Sequence, residues 1–556
     1  MPFAKSYRFL PRTLLCCINL RCIRRAFGTL VALGVGILVA CSDRPERASH
    51  NPALKPRLLL FLVIDQARAE YLTRFAPLFT AGLKQLIERG ALFEQAYHEH
   101  SYTATCPGHA SLVTGAHPSR SGIVANEWYD RETKKWTYCV NDTRGLGPGQ
   151  LRVSTLPDWI KSYDPKSRVF SVSGKDRAAI IMGGHAADVA FWYDKFTGRF
   201  TSSEHYAKRH PEWLQEFNRQ RSLAEKFGAL WERDRALPID LARYAIHSPT
   251  RDSFPHAFGS LGPMPSKDFF EEIKLSPWVD QSTFALAREL LEREQLGSRG
   301  ALDYLAISLS ALDWVGHEYG PNSLEVLQVL LDLDRQLGAF LAVLDKQFKP
   351  GEILVVVSSD HGVAALPELS QHSDTNSGLR LSDTQLACVQ QIEQALAQHF
   401  SAEGPFFEGG WNIRHETLRG QGIDLELFTA EAKRRISQCL PIAQVVSLAD
   451  LATSNFFAPH FAARFRNSYY PGRSPDFILH PRERALLLKG QGTTHASAYD
   501  YDAHVPLVFL HPSLKPQRLA ERVATVDVAP TIAELIGLPV AQKVDGISRA
   551  ALMVQK

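Results

Sequence analysis

Residues 57–64 read RLLLFLVI, seven apolar residues in a row behind one arginine, and the run stops at Asp65. Without polar alternation such a run cannot present one face to water, so it suits a strand buried on both faces in a sheet covered by helices. Similar runs recur at 168–172, 304–312, 353–357 and 505–510. Between them, 323–344 carries apolar residues at three- and four-residue spacing behind Asn322 or Ser323 as a cap, and 528–536 reads as a helix stopped by Gly537 and Pro539. Strands alternating with helices predict an α/β sandwich around a largely parallel central sheet flanked by helices. Two stretches break the rhythm. One is 201–274, rich in aromatic and charged residues; the other is 366–489, with its own predicted helix at 384–400 and the length of a cap. The core is then expected to run over 57–365 and to resume at 490–556.

The chain has 556 residues, 45% hydrophobic and 22% charged, enough for one large domain with insertions. Its formal charge of +3 is misleading, because residues 1–40 hold six basic and no acidic residues; the remainder has 56 basic against 59 acidic. A nucleic-acid footprint is therefore not expected. The basic stretch leads into the apolar segment 26–40, which has the length of a signal-peptide core and ends in Leu38-Val39-Ala40-Cys41. This tetrapeptide resembles the lipobox of bacterial lipoproteins. It implies a leader at 1–40, a lipidated Cys41, a linker at 41–56 and export to the periplasm or outer membrane of a Gram-negative cell. An uncleaved anchor and an ordinary cleaved signal are the alternatives. Beyond Cys41 only Cys106, Cys139, Cys388 and Cys439 remain. Their spacing fits no zinc finger, and packing, or at most one disulfide, is expected.

Polar residues with chemical capacity gather at the ends of the apolar runs, where an open α/β sheet forms its ligand crevice. Asp65 ends the first. Asp313 ends the 304–312 run, with His317 four residues on; Asp360-His361-Gly362 follows 353–357; Thr493-Thr494-His495 precedes the last. Carboxylates and imidazoles without thiolates suit a catalytic zinc site more than a structural one. Each residue alone reads as readily as a helix cap or a packed core group. Thr105, in Thr103-Ala104-Thr105-Cys106-Pro107-Gly108-His109, stands where a loop enters a helix whose free N–H groups and dipole suit a phosphoryl group. On local grounds it is equally a capping threonine.

Taken in order, a strand-ending Asp, T-x-P-G-H, D-x-x-x-H, a strand ending in S-D-H-G and a late T-T-H resemble the alkaline phosphatase superfamily, in particular its phosphate-irrepressible alkaline phosphatases. The resemblance implies that Thr105 is the nucleophile and that two zinc ions are bound. One would be held by Asp65, Asp360 and His361 and would also bind Thr105. The other would be held by Asp313, His317 and His495 and would serve the leaving group. Asn126 matches an asparagine that binds a phosphoryl oxygen. Lys175 and Arg177, in Ser173-Gly174-Lys175-Asp176-Arg177, match the basic pair of the monoesterase branch. Two such cations favour a monoester, which carries more negative charge than a diester. Small-molecule phosphate monoesters, a phosphothreonine intermediate and a monomer are the resulting expectations. The rivals are a phosphodiesterase or phosphonate hydrolase on the same scaffold, and a noncatalytic metal-binding surface lipoprotein. Ser121 stands where relatives often carry histidine and is assigned no role; His109, His185 and His504 are read as architectural.

Overall fold

The computed structural model describes residues 53–234, 244–249, 251–259, 262–370, 379–453 and 458–554. The predicted leader, Cys41 and most of the linker lie outside the described residues. The central sheet has nine strands: β1 (Leu58–Ile64), β2 (Ala91–Tyr97), β3 (Val169–Ser173), β4 (Val189–Asp194), β5 (Arg199–Thr201), β6 (Asp303–Leu309), β7 (Ile353–Ser358), β8 (His504–Leu510) and β9 (Gln517–Ala524). Their spatial order is β9-β2-β8-β7-β1-β6-β3-β4-β5. Five of the eight neighbouring pairs are parallel; β7–β8, β8–β2 and β4–β5 are antiparallel.

The apolar runs are continuous because successive side chains enter different cores. Leu58, Leu60, Leu62 and Ile64 join one buried cluster, while Leu59, Phe61 and Val63 join the other. β6 and β7 divide in the same way, so the middle of the sheet is dry on both faces. Helices α1 (Thr105–Thr114) and α2 (Asp176–Gly183) contribute to the second cluster. Helices α3 (Ala311–Tyr319) and α4 (Leu324–Gln347) contribute to the first. Ser323 caps α4 by accepting the Val326 N–H. Residues of the 201–274 stretch, among them Leu214, Phe217, Trp231 and Phe269, pack into the first cluster.

Parallel pairing sets the level of the strand ends. Ile64 lies beside Leu309, and Ser308 beside both Val63 and Ser173, while Val63 also faces Ser358. The residues that follow β1, β3, β6 and β7 therefore emerge at one edge. β8 runs antiparallel to β7 and begins at that edge, where His504 faces Tyr97 at the end of β2. The segment carrying His495 and the segment leading to Thr105 arrive there too.

Three expectations are corrected. The 304–312 run is not all strand: β6 ends at Leu309, and Asp313 sits in the first turn of α3. The switch is set from afar, because the Asp280 carboxylate accepts the N–H groups of Ser310 (2.8 Å) and Ala311 (3.0 Å) and caps a helix start whose sequence still looks like strand. The predicted helix at 384–400 is two helices, Asp383–Gln390 and Ile392–Phe400, parted at Gln391, whose N–H turns back to Cys388 O. Finally, two disulfides are present, Cys106–Cys139 and Cys388–Cys439, where at most one was expected. The second joins the first of those helices to Leu425–Cys439, beside a small core of Leu396, Phe406, Phe428, Ile436 and Phe477.

Helix α1 comes so close to the loop after β7 that a Cβ on Gly108 would lie 2.0 Å from the Asp360 carbonyl oxygen. Backbone on backbone leaves nothing flexible to give way. Gly108→Ala is therefore expected to destabilise the protein by about 3 kcal/mol or more, and an unchanged urea midpoint would contradict this close packing. Replacing Cys388 and Cys439 together by serine is expected to remove about 2–4 kcal/mol from the 379–487 region. Hydrogen exchange should quicken there and stay unchanged in β1, β6 and β7.

Candidate active site

Three carboxylates meet at the sheet edge almost without water: Asp65 and Asp360 are 0% exposed and Asp313 is 3% exposed. Three imidazoles surround them. His317 Nε2 lies 3.2 Å from Asp313 Oδ1 and His495 Nε2 3.7 Å from the same oxygen. His361 Nε2 is 3.4 Å from Asp65 Oδ1 and 3.5 Å from Asp360 Oδ2. The His361 and His495 rings stack at 3.6 Å.

The tautomers follow from the backbone. His317 Nδ1 is 2.7 Å from Thr493 O, His361 Nδ1 2.9 Å from Gly362 O and His495 Nδ1 2.6 Å from Thr103 O. A carbonyl can only accept, so each Nδ1 carries a proton, and in the neutral ring it is Nε2 that offers a lone pair toward the carboxylates. Buried Asp65 Oδ1, Asp360 Oδ2 and His361 Nε2 have no hydrogen-bond partner. Lone pairs converging on lone pairs form a site for a cation. Two sets have ligand atoms within 4.8 Å of one another: Asp313, His317 and His495; and Asp65, Asp313 and His361. The first is the set expected from the sequence. In the second, Asp313 takes the place expected for Asp360, which stands alongside with Oδ2 3.3 Å from His109 Nδ1. Lys175 accounts for the difference, since its buried ammonium donates to Asp65 Oδ2 (2.6 Å) and to Asp313, drawing those two together.

Electrostatics agree with the geometry. Burial, with Asp313 and Asp360 nearby, pushes the Asp65 carboxyl well above its ordinary range. Burial also acts to raise Asp313, but Lys175 and His317 outweigh it and hold that carboxyl well below the usual range. Asp360 is likewise lowered, His361 and His109 overcoming its burial. Burial depresses His361 and His495, so both are neutral, ligand-competent imidazoles at neutral pH. His317 is raised, its burial outweighed by Asp313.

Thr105 is the first residue of α1 and is buried. Arg177 Nη2 donates to its Oγ1 at 3.4 Å, and the Cys106 N–H donates to Asn126 Oδ1 at 2.9 Å. His109 bonds to Thr105 O and to Ser308 Oγ, bracing the turn against β6. Asp176, between the two cations, accepts from Tyr138 at 2.7 Å. All ten residues singled out from the sequence thus lie at this one edge. His185 bonds to Asp158, and His504 bonds to Glu94 O and stacks on Tyr97, away from the carboxylates.

Gln66 was not anticipated. Its N–H donates to Asp360 Oδ1 (3.1 Å) and its side-chain Nε2 to Asp313 Oδ1 (2.7 Å), so one residue orients a carboxylate from the loop after β7 and one from α3. To do so it adopts φ 67°, uncommon for a residue with a Cβ. It also packs on Gly316, where a Cβ would lie 1.9 Å from its Oε1. Sequence offers no sign of this beyond its place after Asp65.

Residues 59–504 match the family model described as type I phosphodiesterase / nucleotide pyrophosphatase. The chain is 32% identical over 530 residues to alkaline phosphatase PhoD of Zymomonas mobilis, covering 90% of this chain and 89% of that protein. It is 30% identical over 512 residues to a Myroides odoratus protein named calcium-transporting ATPase, covering 87% and 92%. No helix among the described residues is long and apolar enough to cross a membrane. The crystal structure of wild-type alkaline phosphatase PafA superposes with a TM-score of 0.81 at 27% identity, covering 91% of this chain and all of that one. With its fold, motif order and matches over most of its length, the chain belongs to the alkaline phosphatase superfamily, within the type I phosphodiesterase / nucleotide pyrophosphatase family and on its PafA-like branch.

Proposed function

We propose that the protein is an exported, zinc-dependent alkaline phosphatase that hydrolyses phosphate monoesters through a phosphorylated Thr105. One observation carries the reading: a buried hydroxyl at a helix N-terminus, contacted by Arg177, beside Lys175 and a cluster of carboxylates and neutral imidazoles. Asp65, Asp360 and His361 would hold one ion, and Asp313, His317 and His495 the other, in keeping with their oxygen and nitrogen donors. When bound, two zinc ions supply Lewis acidity at the attacking and departing oxygens.

Thr105 Oγ1 gives up its proton and bonds to phosphorus as the ester P–O bond breaks, and the departing oxygen leaves as the alcohol. Water then cleaves the Thr105–phosphate bond and restores the hydroxyl. The Arg177 guanidinium, already donating to Thr105 Oγ1, faces the phosphoryl oxygens at the start of α1. Asn126 spends its carbonyl oxygen on the Cys106 N–H, which leaves its NH₂ as a donor to the same group. Lys175 is tied to Asp65 and Asp313 and adds positive charge beside them. That charge favours a monoester dianion over a diester monoanion.

Thr105→Ala is expected to abolish turnover, whereas Thr105→Ser should retain part of it and form an acid-stable phosphoserine visible by mass spectrometry. Removing zinc with a chelator should stop the reaction and zinc should restore it. Lys175→Ala and Arg177→Ala are each expected to lower kcat/KM for an aryl phosphate monoester by roughly 10²–10³-fold, with a smaller loss for the matched diester. A wild-type preference for the diester, unmoved by these substitutions, would instead support the phosphodiesterase reading that the family description suggests. Gln66→Ala is expected to weaken zinc binding or kcat/KM by roughly 10–100-fold without a comparable drop in melting temperature. Equal loss of stability would make Gln66 a packing residue.

A further inference from the structure

Beside the metal-ligand cluster lies a cavity of about 480 Å³ whose walls come from three parts of the chain. Thr494 and His495 form its inner end, so a histidine of the Asp313, His317 and His495 set is also a wall of the cavity. Ala125 and Glu127, the neighbours of Asn126, line it as well. Through His495 and the neighbours of Asn126 the cavity therefore adjoins the candidate site, on the side of the Asp313, His317 and His495 set.

Aromatic rings dominate the outer walls. Tyr129 and Trp136 come from the hairpin of Glu127–Asp130 and Lys135–Tyr138, and Trp411 comes from the 366–489 region. Tyr129 and Trp136 meet edge to face at 6.3 Å. Gly409 lies against Tyr129 so closely that a Cβ there would sit 2.1 Å from the ring, which brings the 366–489 region onto the hairpin. Trp136 is nonetheless 59% exposed, a large apolar ring whose free face borders the cavity.

The one lysine or arginine among the lining residues, Arg473, is committed elsewhere. Arg473 is 4% exposed, donates to Gly122 O and Gln150 O and lies over the Trp128 ring. The lining carboxylates Asp502, which accepts from Ser497, and Glu127 further disfavour a second phosphate. Such walls suit a flat, uncharged ring system rather than a polyphosphate or a sugar phosphate.

We infer that this cavity binds the leaving group, and that the enzyme prefers phosphate monoesters of alcohols bearing a planar aromatic system. The inference rests on the monoesterase reading above. With the phosphoryl group at Thr105, the ester oxygen lies at the His495 side and the ring enters between the hairpin and Trp411. The chemistry is unchanged: the P–O bond to the aromatic alcohol breaks as the bond to Thr105 forms.

The test compares methyl phosphate with 2-naphthylmethyl phosphate, whose alcohols have similar acidity, so that intrinsic reactivity is matched. The zinc-loaded enzyme is expected to favour the naphthylmethyl ester at least roughly tenfold, mainly through KM. Trp136→Ala and Trp411→Ala should each erase most of that preference while leaving methyl phosphate turnover unchanged, and Trp136→Phe should keep much of it. Calorimetry with 2-naphthylmethylphosphonate, which is not hydrolysed, should show the same ranking of variants. Equal kcat/KM for the two esters in the wild type, or equal losses on both in the variants, would overturn the leaving-group site and leave the monoesterase intact. Failure to hydrolyse either ester would overturn the monoesterase reading and the inference with it, even if the phosphonate still bound.

Discussion

Three buried carboxylates at one sheet edge are the constraint around which the rest of the structure is arranged. Asp65 and Asp360 follow the neighbouring strands β1 and β7 and Asp313 lies in the first turn of α3 after β6, and burying that much like charge costs far more than any single hydrogen bond returns. Each carboxylate therefore has a partner that arrives from elsewhere. Lys175, from beyond β3, binds Asp65 and Asp313; Gln66 binds Asp313 and Asp360; His109, from α1, stands against Asp360. The close backbone approach at Gly108 is part of the same arrangement, since it seats the helix bearing Thr105 on the Asp360 segment. The position of Thr105 is thus a consequence of how the acidic cluster is enclosed.

Where the chemistry is set by strand ends, it was legible in the sequence. Strands buried on both faces announce themselves as unbroken apolar runs, and parallel pairing then carries their next residues to one edge, so Asp65, Lys175 and Asp360 could be read together. Strands β2 and β9 escaped notice because ALFEQAY and QRLAERVA carry polar residues where they meet solvent or the half-buried rim. Asp313 was identified but placed on a strand, because the cap that starts its helix is Asp280, some thirty residues away in sequence. Gln66 was missed for a related reason: its positive φ and its partners on other strands leave no local trace. The disulfides likewise depend on proximities that spacing does not encode.

On the proposed reading, the charge balance gives a reason for cations to be in place before a phosphate ester can bind. With the three carboxylates ionised, Lys175 and Arg177 fall one charge short of balancing them and His317, raised by Asp313, makes up the difference, while burial keeps His361 and His495 neutral. Such a balanced cluster offers a phosphate dianion no net attraction. On the proposed reading, two divalent ions would give it a net positive charge, and the same cations that neutralise the acids would then attract the ester. The aromatic cavity beside His495 adds the complementary half. On the proposed reading, such a field would hold any phosphate monoester by its phosphoryl end and could not tell one alcohol from another, so discrimination would have to come from surfaces without charge. The surfaces placed for it are the hairpin after Asn126 and the 366–489 region, outside the sheet edge that carries the carboxylates. Under that reading catalysis and selectivity would rest on separate parts of the fold, and the second could change without disturbing the enclosure that the carboxylates require.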